Sequence, residues 1–261
     1  MKYFVVADVH GFYDQMKQAL DAAGFDPENP NHTLVSCGDA IDRGPRPNEV
    51  IKYFVNLPRK ILIRGNHEDL LKELLTSGYG PQMHDYQNGT MGTVAELASK
   101  HSKVTRGTTI SKTLASYMDW EELSGYAAAE KTYRQYEKLL VDYFETEHYI
   151  FVHGWIPTLT KIDKVRGQRV TTYEYQDNWR NASAKDWDNA RWSSGIACTI
   201  QEVFDPQKTI VCGHWHAAAW HTAYEGAEPY ADHSPYVSDK VVALDTCTAL
   251  SKKVNVYVIE D

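Results

Sequence analysis

The sequence predicts an α/β fold with a helical insertion, on two patterns. Over the first 75 residues, short apolar runs of β type alternate with apolar residues at helical spacing, the mark of parallel β-α-β units. From about Thr76 to Glu147 helical patterns dominate, with no strand signal of comparable strength.

In order, KYFVVA (2–7) is a short apolar run stopped by Asp8, which suits a buried strand. Phe12, Met16, Ala19, Leu20 and Ala23 recur at helical spacing, and Gly24 closes that helix. HTLVSC (32–37) is the second strand. Val50, Ile51, Phe54 and Val55 mark a second helix ending at Pro58, and KILI (60–63) is the third strand. Leu70, Leu71, Leu74 and Leu75 start a third helix. Within the insertion, TVAELASKH, TLASYMDWEEL and EKTYRQYEKLLVDYF read as helices. Strands resume with HYIFVHG (148–154), TIVCGH (209–214), VVALDT (241–246) and VNVYVI (254–259). Between 160 and 208 the chain is polar, Trp/Tyr-rich and weakly periodic, so no element is assigned there. Without an internal repeat or a low-complexity linker, the simplest organisation is a single domain over 1–261, with the insertion at about 76–147.

Hydrophobic residues at 43% and charged residues at 24% are ordinary for a globular protein with a full core. A net charge of −8 argues against binding a nucleic-acid polymer irrespective of sequence. It leaves anionic substrates open, because bound cations can dominate a local potential. MKYFVVADVHG is too short for a signal-peptide core and no small-residue cleavage site follows. No apolar run approaches membrane-spanning length, so no membrane partner is expected. Cys37, Cys198, Cys212 and Cys247 show no CxxC spacing and read as buried thiols of a reducing, cytoplasmic compartment. The oligomeric state is not legible.

The polar clusters share a location. Asp8-x-His10, Asp39 to Arg43 in GDAIDRGP, Asn66-His67-Glu68, His153 and His214-x-His216 each follow an apolar strand directly. In parallel α/β folds, ligands bind outside the carboxyl ends of the strands. Each cluster alone has an ordinary reading: Asp39 capping a turn, Asp42 pairing with Arg43 or Arg46 on a solvated loop, a histidine satisfied at a strand end. Five segments delivering His, Asp and Asn to one sheet edge favour a site instead. Asp and His with one Asn, and no cysteine, suit manganese, iron or zinc better than a thiolate site does. Two such ions need a bridging carboxylate, and Asp39 lies in the middle of the set.

DVHG, GDAIDRGP, RGNHE, FVHG and VCGH, in that order, resemble the PPP-type phosphoprotein phosphatase branch of the calcineurin-like metallophosphoesterases, which is related to bacterial diadenosine tetraphosphatases. ALDT (243–246) resembles the closing strand of bacterial members. The resemblance implies a β-sandwich flanked by helices (α/β/β/α) with a site for two divalent transition-metal ions at its edge, manganese first and iron or zinc as alternatives. One ion would take Asp8, His10 and Asp39; the second would take Asp39, Asn66, His153 and His214. Arg43 would hold phosphate oxygens, and His67 would be the proton donor, oriented by Asp42. The family's second phosphate-binding arginine matches Arg191 in WDNARW, with a surface arginine as the competing reading. Trp155 in HGWIP and Trp215 in GHWH depart from the branch, and either stack on an aromatic or nucleobase group or pack in the core. His216 also departs. In other metallophosphoesterases the second His of a GHxH pair binds the first metal, so His216 is either a ligand or a bystander.

The mechanism then follows from charge. Two divalent ions outweigh the charges of Asp8 and Asp39, which favours a bridging hydroxide at neutral pH and a bound phosphate dianion. Arg43 would grip non-bridging oxygens and His67 would protonate the leaving oxygen. The expected activity is a metal-dependent phosphomonoesterase acting on phosphoserine or phosphothreonine in proteins or peptides. A dinucleoside polyphosphate hydrolase is the alternative. A non-catalytic scaffold needs lost ligands, and none is lost.

Overall fold

The computed structural model describes residues 1–99, 119–165 and 168–261. The chain runs β1 (Lys2–Val6), α1 (Tyr13–Ala22), β2 (His32–Ser36), α2 (Pro47–Asn56), β3 (Lys60–Ile63) and α3 (Asn66–Thr76). Then come α4 (Met83–Asn88), α5 (Thr90–Ala98), α6 (Trp120–Ala129) and α7 (Lys131–Leu139). Short strands β4 (Leu140–Val141), β5 (Phe144–Glu145) and β6 (Tyr149–Phe151) precede a hairpin of β7 (Thr158–Val165) and β8 (Gln168–Tyr175). The remainder is α8 (Ala184–Arg191), α9 (Gly195–Ile200), β9 (Thr209–Cys212), α10 (Ala217–Glu225), β10 (Tyr236–Val237), β11 (Val241–Ala243), α11 (Thr248–Ser251) and β12 (Tyr257–Glu260).

Two five-stranded sheets, ordered β12-β1-β2-β3-β4 and β10-β11-β9-β6-β5, make a sandwich. β1, β2 and β3 are parallel, as the alternating pattern requires. Successive side chains point to opposite faces. Val5, Val35 and Ile63 therefore meet Phe151, Val211 and Val242 of the other sheet. Phe4, Leu34 and Leu62 turn outwards onto α1, α2, α3 and α5 through Met16, Leu20, Val50, Phe54, Leu71 and Val94. On the opposite side, Ile150, Ile210 and Val241 meet Trp187 of α8, Cys198 of α9 and Trp220 of α10. Both faces of each central strand are covered, so these strands read as unbroken apolar runs rather than alternating ones. Each such side chain contributes roughly 1.5–3 kcal/mol on burial.

The expected strands appear, shorter than their apolar runs. The spacing in EKTYRQYEKLLVDYF misleads beyond Leu139. Leu140–Val141 leave the helix to pair with Leu62–Ile63, and Phe144–Glu145 pair with β6. Open sheet edges there outcompete helical spacing. The unassigned 160–208 region holds β7, β8, α8 and α9. The hairpin's described side chains are mostly exposed, so no alternation betrays it. Most of TLASYMDWEEL, and the end of TVAELASKH, lie outside the described residues. The four cysteines are free; three are buried, but Cys247 is only partly so. Among the described residues no helix is long and apolar enough to cross a membrane.

Candidate metal centre

The strand ends converge on Asp39. Its Oδ2 lies 3.7 Å from His10 Nε2 and 3.9 Å from His67 Nε2, and its Oδ1 lies 3.4 Å from His153 Nε2. Asn66 Oδ1 is 2.7 Å from that same His153 nitrogen. Two groups of side chains can each hold a cation: His10, Asp39 and His67, and Asp39, His153 and His214. Asp39 belongs to both. Asp8 lies outside both groups, its two carboxylate oxygens accepting the His214 backbone N–H at 3.1 and 3.0 Å.

The backbone is forced to make this convergence. Asp8, His10, Asp39, Asp42, Arg43 and His214 all have positive φ, between 48° and 69°. Such strain in non-glycine residues gathers where a site over-determines the chain. Two motif glycines are required by close approach. A Cβ on Gly65 would stand 2.1 Å from Asp39 Oδ1, and one on Gly213 would stand 2.0 Å from Asp8 Oδ2.

The donor set fits a divalent cation. His153 Nδ1 faces the Cys37 carbonyl at 2.8 Å, and His10 Nδ1 faces the Ile41 carbonyl at 2.9 Å. A carbonyl only accepts, so each Nδ1 carries a proton, and the neutral ring then turns its Nε2 lone pair towards Asp39. Around His153 Nε2 the neighbouring oxygens of Asn66 and Asp39 are also lone-pair donors. A bound cation satisfies such a cluster. Burial pushes the His10 imidazolium pKa well below the usual range, and burial with the neighbouring His153 takes His214 down to about 3, leaving both rings neutral as ligands. Burial works against a charged Asp39, yet the surrounding histidines, His153 and His67 foremost, hold its carboxyl below the usual range. Asp8 is pushed well up by burial, then by Asp245 and Asp39. Unscreened carboxylates crowd there.

The predicted catalytic trio is also assembled. His67 Nδ1 is 2.7 Å from Asp42 Oδ2, while Arg43 Nη2 is 3.1 Å from His67 Nε2. Burial lowers the His67 pKa, but Asp39 and the Asp42 hydrogen bond outweigh it and raise the pKa overall. Arg191 is buried, which removes the surface reading. Its Nε donates to Asp69 at 2.5 Å, its Nη1 to Asp142 at 2.8 Å, and its Nη2 to Asp188. His216 Nε2 stands 3.8 Å from Asp245 Oδ2, outside both cation-holding groups. Trp155 is 1% exposed and donates Nε1–H to the Val203 carbonyl, so it packs in the core. Trp215 is 40% exposed.

The sequence reading gave several participants no role. Glu68, whose carboxyl pKa is raised to about 7 by burial and then by Asp39, accepts the backbone N–H groups of Asp39, Ala40 and Gly65 and fixes the two loops together. Thr90 and Thr93, on α5 of the insertion, donate to Asp42 at 2.8 and 2.6 Å. Asp245 is buried beside Asp8 and His216. The flanking motifs GNHE and ALDT marked Glu68 and Asp245, but nothing local marked the threonines.

Known proteins are similar to this chain in sequence and in fold. A bis(5'-nucleosyl)-tetraphosphatase PrpE (asymmetrical) of Bacillus subtilis strain 168 is 32% identical over 112 residues, 40% of this chain and 46% of that protein. Serine/threonine-protein phosphatase 2 of Escherichia coli K12 is 36% identical over 77 residues, 30% of this chain and 34% of that protein. The chain thus spans less than half the length of these curated relatives. In fold, it superimposes on a cold-active protein-tyrosine phosphatase of a psychrophilic Shewanella with a TM-score of 0.53 at 16% identity, covering 100% of this chain and 75% of that one. The family model described as calcineurin-like phosphoesterase matches residues 1–218, and by that match the chain belongs to the calcineurin-like phosphoesterase family.

Proposed function

We propose that this chain hydrolyses phosphate esters with two divalent cations held across Asp39. The observation that carries this reading is the Asp39 carboxylate, whose Oδ2 faces His10 and whose Oδ1 faces His153, with His214 in the same group. His10, Asp39 and Asp8, with His216 at the edge, would hold one ion; Asp39, Asn66, His153 and His214 would hold the other. Manganese is our first assignment, with iron or zinc as alternatives. Such ions would supply charge neutralisation and water activation for phosphoryl transfer.

The chain's own residues do the rest. Arg43 offers a planar fork to the non-bridging oxygens. In drawing towards phosphate, it would leave His67 Nε2, the atom that then holds a proton for the leaving oxygen. Asp42 keeps the other ring nitrogen protonated and the ring in place. Arg191, with its fork engaged by three carboxylates, we assign to structure rather than to phosphate.

A phosphoseryl or phosphothreonyl protein is the substrate the motifs favour, and the name of the E. coli relative supports it. The name of the B. subtilis relative and the exposed tryptophans beside His214 support a dinucleoside polyphosphate instead. The metal-loaded protein should turn over p-nitrophenyl phosphate and at least one of a phosphoseryl peptide and diadenosine tetraphosphate. Full metal occupancy with turnover of none of them would overturn the proposal.

A further inference from the structure

Seven tryptophans occur in the chain, and Trp192 and Trp215 are the two whose rings stand well exposed, at 51% and 40%. Both lie against the same residue. Trp192 and His214 have ring centroids 6.0 Å apart at 85°, and His214 and Trp215 are 6.1 Å apart at 80°. Large aromatic rings usually gain stability by burial, so a pair left in solvent around one candidate metal ligand offers its faces to a ligand.

Trp192 also lines a groove of about 630 Å³ between the β7–β8 hairpin and α8. Thr160, Thr171 and Tyr173 line the hairpin wall, and Asp186 and Asn189 line the helix wall. That volume lies within the range of small-molecule sites, about 300–1,000 Å³. Among its described lining residues there is no lysine or arginine. The groove therefore suits neither a second phosphate nor an acidic segment. Hydroxyls, two amides and one carboxylate instead match the amino and ring-nitrogen groups of a neutral heterocycle.

We propose that the groove is a nucleobase subsite: Trp192 stacks on the base of a nucleotide whose phosphate lies at the Asp39 centre. Trp215, on the loop after β9, adjoins the same His214 ring. This rests on reading the Asp39 centre as a phosphohydrolase site, and it selects nucleotides over phosphopeptides as the substrate class.

Two measurements test it. In metal-free protein, AMP should bind saturably, read by calorimetry and by tryptophan quenching, and Trp192→Ala should abolish the calorimetric binding while Trp192→Phe keeps it weakened. In metal-loaded protein, Trp192→Ala should raise KM for diadenosine tetraphosphate by roughly 5- to 100-fold more than KM for phosphoserine. Thr160→Trp, which fills the groove away from His214, should act in the same direction. Equal KM changes for both substrates, or calorimetric AMP binding unaltered in Trp192→Ala, would overturn the subsite while leaving the hydrolase reading intact. Trp192-dependent AMP binding in a metal-loaded protein that hydrolyses neither substrate would uphold the subsite and overturn the hydrolase reading.

Discussion

His67 Nδ1 and Asp42 Oδ2 are 2.7 Å apart in a pocket where Thr90 and Thr93 also donate to the same carboxylate. An ionised carboxylate can only accept, so the His67 proton on that side is fixed and the ring cannot turn. Its other nitrogen faces the site.

His67→Asn should therefore slow hydrolysis of phosphoserine and alkyl phosphates by ~10²–10⁴-fold. Turnover of p-nitrophenyl phosphate, whose leaving group hardly needs a proton, should fall far less, with metal content unchanged. Asp42→Asn should give a milder form of the same pattern, and Thr93→Val milder still. Equal slowing of both substrate types when chemistry limits the rate would remove His67 from the proton-donor role.

This relay shows what a sequence can and cannot display. Asp42 and His67 sit in motifs at strand ends, where the parallel-sheet rule alone brings them to one edge. Asp39, His153 and His214 were legible for the same reason. Thr90 and Thr93 come from a helix in the insertion, 48 and 51 residues from Asp42, and depend on packing that no local pattern encodes. Trp192 stayed hidden for a related reason. It caps α8, a helix with few buried residues among its eight, in a region where periodicity is weak.

Arg191 ties the first turn of α3, the turn after β4 and α8 together through Asp69, Asp142 and Asp188. Arg191→Met takes this cation from Asp142 and Asp188 and leaves Asp69 with Arg64, 3.5 Å away. Stability should drop by about 1–3 kcal/mol, seen as a lower Tm, with inhibition by inorganic phosphate little changed. An unchanged Tm with tenfold weaker phosphate inhibition would return Arg191 to the substrate site.

His216 stands at the rim, held near Asp245. We expect His216→Ala to weaken one bound metal while the other survives, read as two separated affinities in a metal titration. Two unchanged affinities would make it a bystander.

The account turns on Asp39 as the residue common to two cation sites, and the direct test is elemental analysis of manganese-reconstituted protein. Wild type should hold two ions per chain, and Asp39→Asn should lose metal and activity together while remaining folded by circular dichroism. Fewer than one ion per chain in wild type, or two ions retained in folded Asp39→Asn, would contradict it.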